Sequence, residues 1–595
     1  MSSVVRSVLR RRVRVLAGAC VATVVGATLV TTPPAVSVPE TDCPAAYPVR
    51  DLTEGQPVHG LTVSKGTQAD EFTGEVVGTL TDGIALGMDL ILVKLDGSVI
   101  THPDGSVDRG IWSGMSGSPV YAEDGRLIGA VSYSLSAAPS EYAGVTPAAE
   151  MYRLGGYSGK RLRPRKAVAT APGDVTQLRR SGLSASQAQA GFRRLPMPLS
   201  VSGLSGNRLQ RVAKRVGMNP KALTTGSTAR VTDEAVEIAP GGNVAMTMSY
   251  GDVTSGGIGT TTAVCGNRVL AFGHPLAFAG RTRAALHGAE AMYVQRDTLF
   301  GSFKVANPSA PVGVFTQDRM AGILGRVGPQ ADTATVRSRI RSADGNRRTG
   351  WTHIIDRSMT DQIATIHLMS NLDSIADGYA GGTGRLAWTI RMRRANGKHV
   401  TFRQSNMYAS KGDLSYFMPW QFYFELATIM NNPFERVKVV EVRQRAFLSH
   451  RMRQHRVGAV QVRRAGHWVT VRRGGAIQVR PGQTLRIRTR LMPVGGSKVH
   501  RRNAHFRFRV PGSVAERSAT VSIRGSRGQF ASVNGRAKSF NGMLRKIART
   551  PTNNTVTAEL SVRTRNGVRR VERRVKRSAP IVGSRSVGVV IRRTR

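Results

Sequence analysis

Between residues 51 and 151 the chain is cut by glycines into short apolar runs: LTVSKGT, GEVVGTL, DLILVKLDG and SPVYAEDGRLIGAVSYS. Runs this short, rich in Val, Leu, Ile and Tyr and bounded by turn residues, read as strands joined by tight turns. The texture returns in NVAMTMSYGDVTSGGIGTTTAVCGNRVLAFGHPLAF and in VGVFTQDRMAGILGRVG. After Arg451 the segments VQVRR, HWVTVRR, AIQVRPGQTLRIRTRL and HFRFRVPG alternate apolar residues with arginine, the two-residue period of a sheet with one wet face. A mainly β chain follows, ending in a β-sandwich-like module.

With 595 residues and 40% hydrophobic content the chain can bury several cores, and domain size alone predicts roughly three to four of them. Composition shifts place the boundaries. Residues 45–155 form one β unit, and 156–235 are a basic, Pro/Ser/Gly-rich linker with one short amphipathic helix at RLQRVAKRVG. Residues 236–330 form a second β unit. Residues 331–450 mix strands with a buried helix in the aromatic segment DLSYFMPWQFYFELATIM, and 451–595 are an Arg-rich β module.

The first 37 residues read as a signal peptide. Arg6, Arg10, Arg11, Arg12 and Arg14 make a basic start, VLAGACVATVVGATLV is the apolar run, and Ala35 and Ser37 are the small residues of a cleavage site. The apolar run is shorter than the ~20 residues of a membrane span. Cys20 has apolar sequence on both sides and does not read as a lipidation site. A secreted or extracytoplasmic protein is expected, associated with the cell envelope. Its two remaining cysteines, Cys43 and Cys265, fit either one disulfide or two free thiols. With no CxxC pair and no HExxH, neither a metal nor a cofactor is expected.

The formal net charge is +49. From Arg451 onward, 36 lysines and arginines stand against Glu516, Glu559 and Glu572 alone. Such an excess is either a solvated strand face or a surface that binds anions, which outside a cell means cell-wall phosphate polymers or lipid headgroups. Nucleic acid fits less well, because aromatic residues are 6% of the chain and no nucleic-acid motif occurs.

The run Gly114-Met115-Ser116-Gly117-Ser118-Pro119 and the strand that follows it, in IWSGMSGSPVYAEDGRLIGAVSYSLSAAPSEYAGVTPAAEM, resemble the serine peptidase domain of the stage IV sporulation protein B (SpoIVB) family, in the manner of its long secreted forms. VLAFGHPL is similar to the motif that carries that family's catalytic histidine, and TQDRMAGILGR to a segment that accompanies it. The resemblance covers roughly residues 55–155 and 240–330. It implies a trypsin-like β-barrel peptidase region and an exported serine endopeptidase cleaving protein or peptide substrates at the envelope. The alternative is a non-catalytic envelope scaffold or binding protein that keeps the peptidase fold. The family runs histidine, aspartate, serine along the chain, whereas here the FGHP histidine follows the serine. The family's peptide-binding module has room only in 156–235.

A serine hydroxyl needs a base within hydrogen-bond reach and donors for the oxyanion formed on attack. Ser116 is the expected nucleophile, with the backbone N–H groups of Gly114 and Ser116 as oxyanion donors by analogy with Gly-x-Ser-Gly loops. Ser118 is expected to cap the turn. His274 is the expected base, with His59 as the alternative that would restore the ordinary chain order, and His102 reads as a surface turn. Asp96 is the expected third member, with Asp104 and Asp108 as fallbacks.

Overall fold

Strands make up 53% and helices 14% of the computed structural model, far above the roughly 20–25% strand of an ordinary domain. It describes residues 43–135, 139–156, 191–195, 199–220, 223–224, 232–297, 301–378, 381–512, 514, 518–525, 537–564 and 567–592. The signal segment expected at 1–37 lies outside them, as does much of the 156–235 linker.

The glycine-cut runs of the first unit are β1 (Pro57–Thr62), β2 (Asp70–Ala85), β3 (Met88–Asp96), β4 (Pro119–Ala122), β5 (Leu127–Ser134) and β6 (Tyr142–Pro147). They pair in the order β4-β1-β2-β3-β6-β5, and β5 pairs back onto β4. Every pair is antiparallel, so the sheet closes into a six-stranded barrel. Phe72, Val76, Ile91, Val93, Ile128 and Val131 fill it. A short helix α1 (Ala148–Tyr152) follows, and the two-residue strand β7 (Arg193–Arg194) adds to β5.

Beyond β8 (Leu199–Val201), helix α2 (Gly206–Val216) and β9 (Leu223–Thr224), a second ring is built from β10 (Asn243–Gly251), β11 (Ser255–Cys265), β12 (Arg268–Ala271), β13 (Gly280–Gln295), β14 (Phe303–Arg319) and β15 (Gly322–Val327). These run β10-β13-β14-β15-β12-β11, with β11 pairing back to β10, again all antiparallel. Val244, Leu286, Phe315 and Ile323 lie in this second core. The barrels pack side by side through several shared clusters; one holds Leu127, Ala130 and Met151 from the first and Ala263, Leu270 and Leu324 from the second, and another sets Val63 among Ala245, Ile258 and Ala291. A disulfide between Cys43 and Cys265 ties the chain ahead of the first barrel to the end of β11. Of the two states the sequence left open for these thiols, the bonded one is found.

The second barrel continues into an open sheet. Strands β16 (Ala334–Ser342), β17 (Arg347–Ile354), β18 (Gly382–Arg394), β19 (His399–Ser410) and β20 (Val437–Ser449) extend from β10 in the order β17-β16-β20-β18-β19. One face of this sheet is covered by α3 (Thr360–Ala376), α4 (Leu414–Phe417) and α5 (Pro419–Met430), so the aromatic segment is helical and buried as expected. α2 joins the same core through Leu209, Val212, Ala213 and Val216. Its Arg208, 1% exposed, is neutralised by Asp373 on α3 and Asp413 at the start of α4, with Ser415 Oγ accepting at 2.9 Å.

The Arg-rich end is a sandwich of two sheets around one core containing Ile487, Phe506, Val521 and Leu560. One sheet contains β21 (His455–Arg464), β22 (His467–Thr470), β24 (Thr484–Pro493), β25 (Arg502–Arg509) and β29 (Ile581–Val582). The other contains β23 (Ala476–Val479), β26 (Ser518–Gly525), β27 (Thr555–Thr564), β28 (Gly567–Lys576) and β30 (Ser584–Ile591). One element departs from the expected boundary at residue 451. Helix α6 (Phe540–Ala548) sends Phe540, Met543, Leu544 and Ile547 into the core of the open sheet, against β19. Their i, i+3, i+4, i+7 spacing makes a single apolar stripe, and that stripe is buried outside the sandwich.

Candidate active site

Ser116 sits on the long connection between β3 and β4, two residues before Ser118 and three before the proline that opens β4. Gly114 and Gly117 hold φ of +101° and +99°, which only glycine adopts without strain. A Cβ on Gly117 would lie 1.9 Å from the Thr260 carbonyl oxygen, so the glycine also permits the close approach to β11. The loop is fastened to the second barrel. Thr260 N donates to Ser116 O at 2.7 Å, Thr260 Oγ1 to Gly114 O at 3.1 Å and Thr262 Oγ1 to Gly117 O at 2.8 Å. On the other side Ser113 exchanges backbone bonds with Ser302 and Lys304, each 2.9 Å long.

His274 lies on the connection from β12 to β13, where Phe272 and Gly273 both hold left-handed φ, +71° and +62°. For Phe272 this conformation costs of order 1–2 kcal/mol. A Cβ on Gly273 would strike Ser132 Oγ at 2.0 Å. Thr146, in the GVTP segment of β6, donates its hydroxyl to Gly273 O at 2.7 Å. The imidazole Nε2 lies 2.8 Å from Ser116 Oγ, and Nδ1 lies 2.9 Å from Pro275 O. A carbonyl can only accept, so Nδ1 carries the proton and Nε2 accepts from the serine hydroxyl. That is the tautomer a general base requires. Each barrel thus supplies one partner, and the inverted chain order is no obstacle to their meeting.

Both residues are fully buried, each at 0% exposure. Burial drives the His274 pKa down to about 3, against the Pro275 carbonyl, which favours the charged ring. The Arg194 guanidinium also lowers it. In the serine loop, neither the Gly114 nor the Ser116 N–H donates to a backbone carbonyl among the described residues. The intervening and following amides are used: Met115 N bonds Trp112 O at 3.1 Å, Gly117 N bonds Val131 O at 2.8 Å and Ser118 N bonds Met115 O at 3.0 Å. The two free donors are those expected for an oxyanion hole.

No family model, curated protein or solved structure matches the chain.

The remaining expected site residues separate from this pair. Asp96 is exposed, and its carboxylate accepts from Gly97 N at 2.7 Å and from the Thr101 hydroxyl, which together hold its pKa below the usual carboxylate range. It caps a turn and does not meet His274, because β3 ends on the solvent side of the barrel. Asp104 likewise caps a turn, through Ser106, and Asp108 pairs with Arg109 and Arg296. His59 projects outward from β1, between the inward Val58 and Gly60, and stacks on Tyr121 with ring centroids 5.5 Å apart. His102 is half-exposed in a turn near Asp108. Ser118 Oγ donates to Met115 O at 2.7 Å and lies 2.9 Å from Thr62 Oγ1, the turn-capping place expected of it. Among the described residues no group of three or more His, Cys, Asp or Glu is arranged to hold a metal.

Two residues that sequence reasoning did not single out complete the surroundings. Asp318, on β14, accepts from Leu276 N at 2.8 Å, Ala277 N at 2.9 Å and Ala279 N at 3.1 Å. It clamps the loop that carries His274 without touching the ring. Burial raises its pKa, while the three amides and Arg194 act against that shift. Its signal was the TQDRMAGILGR string, read as a companion of FGHP but not residue by residue. Lys304, on β14, lays its stem against Gly114 and donates from Nζ to Asn243 Oδ1 at 2.6 Å. Burial lowers its pKa to about 7, against the pull of Asp70. No local pattern marks a lone lysine in a strand for this role.

Proposed function

We propose that the chain is an exported serine endopeptidase resembling the stage IV sporulation protein B family, cleaving protein substrates at the cell envelope. The observation that carries this reading is the 2.8 Å approach of His274 Nε2 to Ser116 Oγ across two β-barrels. On attack the Ser116 Oγ–H proton passes to Nε2 as the Oγ–carbonyl bond forms, and the oxyanion is met by the Gly114 and Ser116 amides. The imidazolium then protonates the leaving amine, and water repeats the sequence on the acyl-enzyme. The Pro275 carbonyl holds the ring's tautomer, and Asp318 holds the loop that aims it. The Arg-rich sandwich binds anionic surfaces and keeps the enzyme at the envelope. The Cys43–Cys265 disulfide supports an oxidising compartment.

A second reading, a binding scaffold that retains the peptidase fold, is favoured by one observation: both reacting residues have no exposed surface. A substrate reaches Ser116 only if the site opens. Incubation of the folded, full-length protein with a fluorophosphonate and intact-mass analysis separates the two. A single adduct that Ser116→Ala abolishes supports the peptidase, and a protein that stays unlabelled through prolonged exposure supports the scaffold.

A further inference from the structure

The open sheet has two faces, and among the described residues helices cover only one. On β16 the alternation turns Val336, Ser338 and Ile340 into the core and leaves Arg337, Arg339 and Arg341 exposed. On β20, Val442, Gln444 and Ala446 point inward, while Arg443, Arg445 and Phe447 are exposed. The parallel pairing of these strands sets Arg337 directly beside Arg443 and Arg339 directly beside Arg445. At the far end of β16, Arg341 faces Arg347 across the antiparallel pair with β17. Like charges directly opposite on neighbouring strands destabilise a sheet. Here three such pairs lie together, and the nearby acid, Glu441, is occupied by Arg443 at 2.7 Å and Arg391 at 3.3 Å. Among the described residues no carboxylate pairs with Arg337, Arg339, Arg341, Arg347 or Arg445.

Neighbouring strands are ~4.8 Å apart and alternate residues on one strand ~6.7 Å, so these guanidinium groups spring from a grid of about 5 by 7 Å. That grid matches the charge spacing of an extended phosphodiester chain, and guanidinium groups grip phosphate oxygens two at a time. Base stacking has little to work with. Tyr250, Trp351 and His353 share this face, with Trp351 directly opposite Arg337, but they are half-buried and pack on one another at 5.2–6.2 Å between centroids, and Phe447, 46% exposed, stands alone among the arginines.

From this juxtaposition we infer that the uncovered face of β17, β16 and β20 is a docking surface for a linear, base-free phosphodiester polymer of the polyol-phosphate type. This site is separate from the Arg-rich sandwich and independent of the peptidase reading. Binding relieves the cross-strand repulsion that the free protein carries.

The test uses the full chain and labelled synthetic poly(glycerol phosphate), titrated by fluorescence anisotropy across a salt series. The variant carries Arg337→Ser, Arg339→Ser and Arg445→Ser. A control carries Arg50→Ser, Arg126→Ser and Arg153→Ser, which removes equal charge from arginines already paired with Asp51, Asp124 and Glu150. The face variant is expected to bind at least about ten-fold more weakly at low salt, with the slope of log affinity against log salt shallower by about two to three. The control keeps both, and fluorophosphonate labelling and melting temperature of the face variant do not fall. The inference is overturned if the face variant binds like the control. It is also overturned if oligothymidine of equal charge binds more tightly, which would make the surface a nucleic-acid site, or if polyglutamate binds as well, which would leave net charge alone.

Discussion

Thr260 donates its backbone N–H to the carbonyl of Ser116 at 2.7 Å, so the loop bearing the hydroxyl in one barrel is anchored to the barrel that supplies the imidazole. The Ser116–His274 distance therefore depends on the seam between barrels more than on either loop alone. Several consequences are open to measurement.

Ser116 and Ser118 should separate cleanly. Ser118→Ala leaves Thr62 and the Met115 carbonyl short of a partner in a buried turn, a loss of about 1–2 kcal/mol seen as a lower denaturation midpoint. Labelling at Ser116 should survive. Complete loss of labelling in Ser118→Ala with a native-like melt would transfer the nucleophile to Ser118.

The pH dependence of labelling reports the surroundings of His274. Its folded pKa, about 3, lies below the 6.5 of a free histidine, so the ring stays neutral and competent well below pH 6. Labelling rate is expected to hold between pH 7 and pH 5. The linked stability runs the same way: it is complete above pH 6.5 and declines as pH falls toward about 3, by at most about 1.4 kcal/mol per pH unit. An acid limb centred near 6.5 would mean that the reacting form of the site is open to water.

Asp318→Asn is expected to slow labelling about 100-fold, because one accepting oxygen is replaced by an amide that faces the loop's own N–H groups and displaces His274. As a positioning residue, Asp318 should alter the rate without moving the acid limb. A shifted limb would place its charge on the imidazole directly.

Ending the chain after His450 is expected to give an aggregating product, although the cut falls between strands. It strips Phe540, Met543, Leu544 and Ile547 from the core of the open sheet beside β19, and each large side chain lost there costs about 2–5 kcal/mol. A soluble, monomeric 1–450 protein in size-exclusion chromatography would show that α6 is dispensable. Attachment through the sandwich is better tested with Arg486→Ser, Arg507→Ser and Arg509→Ser, whose side chains alternate outward from β24 and β25. Co-sedimentation with isolated envelopes should weaken and lose much of its salt dependence.

Much of this protein is decided locally and was legible in order along the chain. Two-residue alternation marked the strands of the sandwich, glycine punctuation marked those of the barrels, and the i, i+4 texture of RLQRVAKRVG marked α2, because strand and helix periods are properties of neighbouring residues. The Gly-Met-Ser-Gly loop and FGHP were likewise visible as strings whose backbone needs glycine. What joined them was not local. Ser116 meets His274 only because two rings of strands close separately and then share a buried seam, and ring closure between β4 and β5 or β10 and β11 leaves no trace in spacing. Asp96 looked eligible by position yet ends on the solvent side of its barrel, whereas Asp318 reaches the histidine loop because β14 runs beside β13 with Asp318 opposite Gly280. Which thiols bond, where α6 is buried and which arginines stand shoulder to shoulder on the open sheet are set by register and packing between distant segments. Those are free energies of contact that no short stretch of sequence contains.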